Sequence, residues 1–120
     1  MDKEELKKRT RLFAVNIIKL VDNLPQKRSL NILSNQLIRC ASSIGANYRS
    51  ACKGKSTADF INKIIIVEEE ADESIYWLEL LEEAGLVNPL DIQPLKKEAN
   101  ELTAIFTAIG KTAKANQKNK

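Results

Sequence analysis

Apolar residues recur every three or four positions along most of the chain, which is the spacing of amphipathic helices. In the first segment this spacing predicts a helix near residues 4–23 that ends before Pro25. A second helix is predicted over residues 29–53, with Ser29 as its N-cap and Gly54 after its last turn. The predicted core faces are Leu6, Phe13, Ile17, Leu20, Val21 and Leu24 in the first helix, and Leu30, Leu33, Leu37, Ala41, Ile44, Tyr48 and Ala51 in the second.

Two further helices follow from the same spacing. The third is predicted over residues 56–85, with a capping box formed by Ser56 and Asp59 at its start and Gly85 at its end. The stretch "VNPLDIQP" is interpreted as a connection, and the fourth helix is predicted over residues 91–113 with Asp91 as a possible cap. The core faces are Phe60, Ile64, Val67, Ala71, Ile75, Leu78 and Leu81, then Leu95, Ala99, Leu102, Phe106 and Ile109.

Four amphipathic helices with short connections predict an all-α fold, an antiparallel up-down-up-down four-helix bundle. At 120 residues the chain has the size of one domain, which we place over residues 1–120. Its last residues, 114–120, are polar and lysine-rich, and we expect a frayed tail there.

Charge is distributed unevenly along the chain. The net charge is +3, but residues 1–63 carry +8, residues 64–101 carry −9, and residues 102–120 carry +4. This asymmetry suggests one surface that attracts polyanions and another that attracts basic partners or neighbouring subunits. The alternative is that solvated helix faces simply differ in sign.

The third helix carries a second apolar stripe. Its members lie roughly opposite the core face at about 100° per residue, and they are Ile66, Trp77, Leu80 and Ala84. Exposed apolar patches of this kind often mark a partner surface, so we expect the chain to form a homo-oligomer through this helix. The alternative is that the first or fourth helix covers these residues.

The outer face of the second helix combines cations with small residues. Arg39, Arg49 and Lys53 share it with Ser42, Ser43, Ala46 and Ser50, and Lys55 follows the helix. Small neighbours let a nucleic-acid backbone approach long cationic side chains, so this pattern predicts phosphate contacts to RNA or DNA. Lys7, Lys8 and Arg11 on the first helix extend the surface. A basic solvated face without a ligand is the alternative.

Enzymatic function is not expected. The chain has no histidine, which removes the usual general base, and "KGKS" lacks the spacing of a phosphate-binding loop. No metal site or cofactor is predicted, and the acidic residues between Glu68 and Glu73 spread around their helix. Cys40 and Cys52 are too far apart on one helix to form a disulfide. The absence of a leader or membrane-spanning segment predicts a cytoplasmic protein.

Certain residues resemble a known family. They are Arg39-x-Ala41-x-Ser43-Ile44-x-Ala46-Asn47, Lys55-Ser56-x-x-Asp59-Phe60, Glu73, and Leu80 with Ala84. The order is similar to that of the four-helix-bundle proteins encoded in intervening sequences of bacterial large-subunit rRNA genes, formerly labelled a ribosomal protein. That family is related to the accessory variability determinant of diversity-generating retroelements.

The resemblance covers about residues 8–110. It implies a homopentameric barrel whose positive surface binds RNA or DNA, and in the retroelement relatives a barrel that also binds a reverse transcriptase. Where the family commonly continues Asn-Ile-Ala-Glu-Gly, this chain has Asn47-Tyr48-Arg49-Ser50-Ala51, which lengthens the basic face. The acidic run Glu68, Glu69 and Glu70 also departs from the family pattern.

Three functions remain open at this point. The first is a non-catalytic, pentameric protein that binds structured RNA or DNA without strong sequence preference. The second is a protein-interaction scaffold that recruits a protein such as a reverse transcriptase. The third is a purely structural oligomer in which the opposite charges only dock subunits.

Overall fold

The computed structural model describes residues 1–118 as four helices: α1 (Lys3–Asp22), α2 (Arg28–Cys52), α3 (Thr57–Glu83) and α4 (Pro89–Lys118). Each helix packs against the next in the chain, and α1 also contacts α4, more sparsely, so that the four helices enclose one core. The short connections make neighbouring helices antiparallel. The all-α four-helix bundle predicted from the sequence is therefore confirmed.

One continuous core runs along the bundle axis. Phe13, Ile17, Leu37, Ile64 and Phe106 are among its fully buried members. The edge of the Tyr48 ring meets the Phe106 ring at a centroid distance of 5.3 Å, which joins α2 to α4. On α3 the core face is rotated slightly from the predicted one. Ile61 and Ser74 are buried, whereas the predicted Phe60 and Ile75 are only half-buried at its border.

Both ends of α3 follow the expected chemistry. Ser56 accepts a hydrogen bond from the Asp59 backbone amide at 3.1 Å, as the capping box predicts. Gly85 has a φ of 71°, and the backbone amides of Gly85 and Leu86 donate to the carbonyls of Glu82 and Leu81. This pair of bonds is a Schellman motif, which requires a residue in the left-handed region that glycine occupies without strain.

Two predicted caps are wrong. α2 begins at Arg28 after Lys27, whose side chain makes no cap hydrogen bond, so Ser29 lies inside the helix. α4 begins at Pro89, two residues earlier than predicted, and Asn88 caps it by accepting from the Leu90 amide. Proline suits the first helical position because its missing N–H would have no partner there.

α4 is also longer than predicted at both ends. Pro94 lies inside the helix and forfeits one backbone hydrogen bond, so the connection inferred from two prolines is in fact the first turns of α4. At the other end the helix continues to Lys118, although residues 114–118 were expected to form a frayed tail. The rest of the predicted tail, residues 119–120, lies outside the described residues.

Gly45 sets the distance between α1 and α2. A Cβ atom at Gly45 would lie 3.1 Å from Oγ1 of Thr10, which is fully buried. Thr10 Oγ1 donates to the Lys7 carbonyl at 2.9 Å, so its hydroxyl satisfies its donor within α1. The small side chain at position 45 therefore permits a close approach of the two helices.

Candidate nucleic-acid interface

The up-down topology brings four chain segments together at one end of the bundle. These segments are the start of α1, the end of α2 with its turn, the start of α3, and the end of α4. We call this end the basic end, because ten cations of the described residues lie there against four acids. The cations are Lys3, Lys7, Lys8, Arg49, Lys53, Lys55, Lys63, Lys111, Lys114 and Lys118, and the acids are Asp2, Glu4, Glu5 and Asp59.

A shallow groove at the α2–α3 turn forms the centre of the basic end. Lys53, Lys55 and Lys63 line it together with Ser50, Gly54, Asp59 and Asn62. On the other side of the turn, Lys55 and Ser56 border a second depression with Ala113 and Asn116 of α4. The turn therefore places lysines from two helices around one concave surface that the end of α4 adjoins.

The cations of this groove have no carboxylate partner. Among residues 1–118, Arg49, Lys53, Lys55 and Lys63 form no ion pair within 4.0 Å. Asp59 is the acid among the groove residues, and its backbone amide, not its carboxylate, is bonded to Ser56. Their positive charge is thus available to a polyanion.

The predicted small residues on the outer face of α2 are where the sequence placed them. Ser42, Ala46 and Ser50 are exposed, and Arg49 and Lys53 are exposed among them. Ser42 Oγ donates to the Ile38 carbonyl of its own helix at 2.7 Å. These small side chains therefore project little from the outer face of α2, and none of them would keep a phosphate backbone away.

The three α1 cations of the prediction differ from one another. Lys8 and Arg11 are exposed and unpaired within the described residues. Lys7 is half-buried, and its Nζ lies 3.1 Å from Glu4 Oε1. Lys7 therefore contributes less free charge than its two neighbours.

Arg39 has a different environment from the one the sequence suggested. It is exposed on the outer face of α2, as predicted, but its Nη2 donates to Glu73 Oε1 of α3 at 2.9 Å. Its Nη1 also lies 3.6 Å from Glu70 Oε2. The prediction treated Arg39 as a free cation, whereas the carboxylates of Glu70 and Glu73 offset its charge.

In this arrangement the Glu70 side chain is largely shielded from solvent. Oε2 of Glu70 is buried without a hydrogen-bond partner, since Arg39 is too distant for one. Burial raises the pKa of the Glu70 carboxyl above its usual range, and the charge of Arg39 opposes that rise. Part of the acidic run thus serves a contact within the protomer.

The second apolar stripe of α3 is only partly exposed. Ile66 and Ala84 are exposed, and Leu80 is half-buried. Trp77 was expected to point away from the core, but it packs against the border of the core and its Nε1 donates to Glu73 Oε1 at 3.3 Å. Rotation of α3 toward α2 explains the difference, because it turns Trp77 and Glu73 to the α2 side.

The sequence interpretation missed five cations of the basic end. They were counted in the charge balance but were not assigned to the surface, and they are Lys3, Lys63, Lys111, Lys114 and Lys118. Counting charges by bundle end, with the up-down topology already inferred, would have found them. Lys111 and Lys114 are exposed on the last turns of α4.

Three other features of residues 1–118 bear on function. No group of acidic, cysteine or histidine side chains is arranged to hold a metal ion there. None of the helices in this part of the chain has the length and apolarity to cross a membrane. Cys40 and Cys52 are free thiols, and Cys40 is buried, accepting a hydrogen bond from Ser74 Oγ at 3.3 Å.

Comparison with known proteins agrees with the predicted family. The sequence profile of the 23S rRNA-intervening sequence proteins matches residues 2–108. A crystal structure of a protein from the S23 ribosomal protein family of Bacteroides thetaiotaomicron VPI-5482 is similar, with 34% sequence identity and a TM-score of 0.85. The similarity covers 92% of this chain and 99% of that one. No curated protein matches the chain. A profile match over most of the sequence shows that the chain belongs to the 23S rRNA-intervening sequence protein family.

Proposed function

We propose that this protein is a non-catalytic homo-oligomer that binds structured RNA or DNA through its basic end. The observation that supports the proposal is the groove of Lys53, Lys55 and Lys63 beside Arg49, in which no cation lies within 4.0 Å of a carboxylate of residues 1–118. Elsewhere on the bundle, Arg9 and Arg39 have carboxylate partners. Unpaired cations are therefore concentrated where four chain segments meet.

The chemistry of the groove favours phosphate over bases. Lysine and arginine side chains neutralise the backbone, and the release of condensed counterions supplies the binding free energy. Stacking on bases would need exposed aromatic rings, but Tyr76, an exposed aromatic residue, lies on α3 toward the opposite end of the bundle. Recognition through charge and shape, with little sequence preference, follows from this composition.

The proposed contact surface consists of Arg49, Lys53 and Lys55, as predicted from the sequence, with Lys63 added. Lys7, Lys8 and Arg11 extend it along α1. Arg39 keeps a peripheral role, since its ion pairs with α3 reduce its free charge.

The oligomer of the proposal is the homopentamer implied by the family resemblance. Its interface includes Ile66, Leu80 and Ala84 of α3, with the half-buried Trp77 beneath them. We place the protein in the cytoplasm, where an rRNA or another structured RNA would be available.

The test is binding of a fluorescently labelled RNA hairpin, measured by fluorescence anisotropy at low and moderate salt. We expect the wild-type protein to bind, and the Arg49→Glu/Lys53→Glu variant to lose at least tenfold in affinity. Reversing two charges replaces attraction with repulsion at the groove. Mass from light scattering should be the same for both proteins.

The matched control is Lys27→Glu/Arg28→Glu, which makes the same change in net charge at the opposite end of the bundle. Both residues are exposed. Equal losses in the two variants would show that net charge alone drives binding, and this would contradict a site at the basic end.

The second candidate function is a scaffold that recruits a protein such as a reverse transcriptase, as the retroelement relatives do. Exposed Leu12, Val15 and Ile18 on α1 favour it, because such residues suit a protein surface better than a nucleic acid. An oligomer that does not bind the hairpin at low salt would favour this candidate over the first.

A further inference from the structure

α1 has an apolar stripe on the side that faces solvent. Leu12, Val15 and Ile18 are 55%, 42% and 42% exposed, while Phe13 and Ile17 of the same helix are fully buried. Their spacing of three residues keeps the exposed side chains on one side of the helix. We call these three residues the α1 stripe.

α3 has its own exposed apolar residues. Ile66 and Tyr76 are 38% and 54% exposed, and the half-buried Leu80 lies between them around the helix. We call these three residues the α3 stripe. The α3 stripe spans about 21 Å from Ile66 to Leu80 at the rise of an α-helix, and the α1 stripe spans about 9 Å from Leu12 to Ile18. The shorter α1 stripe therefore fits within the length of the α3 stripe.

The charges around the two stripes are opposite. Between residues 6 and 21, α1 contains Lys7, Lys8, Arg9, Arg11 and Lys19 and no acid. Between residues 64 and 83, α3 contains eight acids and no lysine or arginine. Lys8, Arg11 and Lys19 are exposed beside the α1 stripe, and Glu69 is exposed beside the α3 stripe.

The two stripes lie on opposite sides of the bundle. α1 packs on α2 and α4, and α3 packs on the same two helices, so α1 and α3 are diagonal neighbours. Their outer faces consequently point in opposite directions. A contact between the two faces must involve two molecules.

We propose that the α1 stripe of one copy docks on the α3 stripe of the next copy. The inference rests on the self-association proposed above and specifies which surface meets the α3 stripe. Such an interface is heterologous, and its repetition closes into a ring when the rotation between copies permits it.

Charge decides against the symmetric alternatives. An α1–α1 contact would oppose Lys8, Arg11 and Lys19 with the same cations, and an α3–α3 contact would oppose carboxylates. Like charges at an interface disfavour association, whereas the α1–α3 pairing surrounds apolar residues with opposite charges. Each stripe of one copy therefore fits the other stripe of a second copy better than it fits the same stripe of that copy.

The test uses two variants that each disable one stripe, Val15→Glu and Ile66→Lys. Both positions are exposed, so we expect the bundle to fold, which circular dichroism would show. Light scattering after size-exclusion chromatography should find each variant as a monomer. Mixed in equal amounts, they should form a 1:1 heterodimer, because the intact α3 stripe of the first meets the intact α1 stripe of the second.

The control is Ile32→Glu on α2, which is 55% exposed and belongs to neither stripe. This variant should keep the wild-type mass. If a charged variant unfolds, the milder pair Val15→Ser and Ile66→Ser serves for the same mixing experiment, with partial dissociation of each alone expected.

The outcomes distinguish the inference from the proposed function. A wild-type monomer would overturn the proposed self-association and this interface together. A wild-type oligomer with a Val15→Glu variant that keeps its mass, or with two variants that stay monomeric when mixed, would overturn the α1–α3 pairing alone.

Discussion

At the level of single residues, the cations of this bundle differ in whether a carboxylate lies within reach. Arg9 donates two hydrogen bonds to Glu98, at 2.7 and 2.8 Å, and Arg39 pairs with Glu73, whereas Arg49 has no such partner in the described part of the chain. The sequence placed Arg39 and Arg49 on the outer face of α2 but did not show that only one of them is paired. Pairing depends on the rotation of neighbouring helices about their axes, which periodicity determines only to within a fraction of a turn.

The Glu70→Gln substitution tests how much the burial of the Glu70 carboxylate lowers the free energy of unfolding. Because burial raises the pKa of Glu70 in the folded protein, the folded state holds a proton that the unfolded state releases as pH rises above about 4.5. Stability should therefore fall as pH rises through that interval up to the folded pKa. The variant should lose this slope, and its free energy of unfolding at pH 7 should rise by up to about 1 kcal/mol.

Urea unfolding of both proteins from pH 4 to pH 7 measures the effect. The chain has no histidine, so no imidazole titrates in this range and obscures the slope. Glu69→Gln, at an exposed neighbouring position, is the control and should leave the slope as in the wild type. A Glu70→Gln protein less stable than the wild type at pH 7 would mean that attraction to Arg39 outweighs the cost of burial.

At the level of helices, hydrophobic spacing predicted the number and order of all four elements, and their core sides apart from the slight rotation of α3. It could not predict the start of α4, because the rule that proline ends a helix competes with the tolerance of proline near a helix start, and Pro89 and Pro94 are both accommodated. It also did not predict the role of Gly45. A glycine inside a helix indicates only low helix propensity until the facing Thr10 is known.

Two glycine substitutions distinguish the effect of helix propensity on stability from the effect of helix packing. A Cβ at Gly110 would meet Ile64 Cγ2 at 3.5 Å, an ordinary contact, so Gly110→Ala should raise the free energy of unfolding by about 0.5–1 kcal/mol through helix propensity. A Cβ at Gly45 would approach Thr10 Oγ1 to 3.1 Å, so Gly45→Ala should lower it by about 1 kcal/mol. Thermal unfolding of the two variants is the measurement. Equal stabilisation of both would show that α1 moves away from α2 without cost.

α1 should be the first helix to open. It packs on α2 and touches α4 only sparsely, and the Arg9–Glu98 ion pair bridges α1 and α4. Hydrogen exchange followed by mass spectrometry should show the least protection in α1 and the most in α2 and α3. Arg9→Ala should increase exchange in α1 without changing α3. Uniform exchange across the helices would contradict this order and would indicate that the bundle opens as one unit.

At the level of the whole molecule, the position of the charges follows from topology more than from their order in the sequence. Residues 49–63 and residues 111–118 are far apart along the chain, yet antiparallel packing places them at the same end. The signs of the charges and the direction of each helix were both predictable. Their combination into a single basic end needed the two to be considered together.

Consider a ring built by the α1–α3 contact in which the bundle axes run parallel to the symmetry axis. Every copy then presents its basic end on the same rim of the ring. A long structured RNA would then contact several copies, whereas a short hairpin would contact one or two. Val15→Glu, the variant expected to be monomeric, should therefore lose far more affinity for the long RNA than for the hairpin, because the effective concentration of further sites is lost. The slope of log affinity against log salt should fall for the long RNA as well, since fewer phosphates are neutralised. Fluorescence anisotropy titrations at several salt concentrations measure both quantities, with Ile32→Glu as the control that keeps the oligomer. Equal losses for the two RNAs would indicate that the rim does not act as a unit.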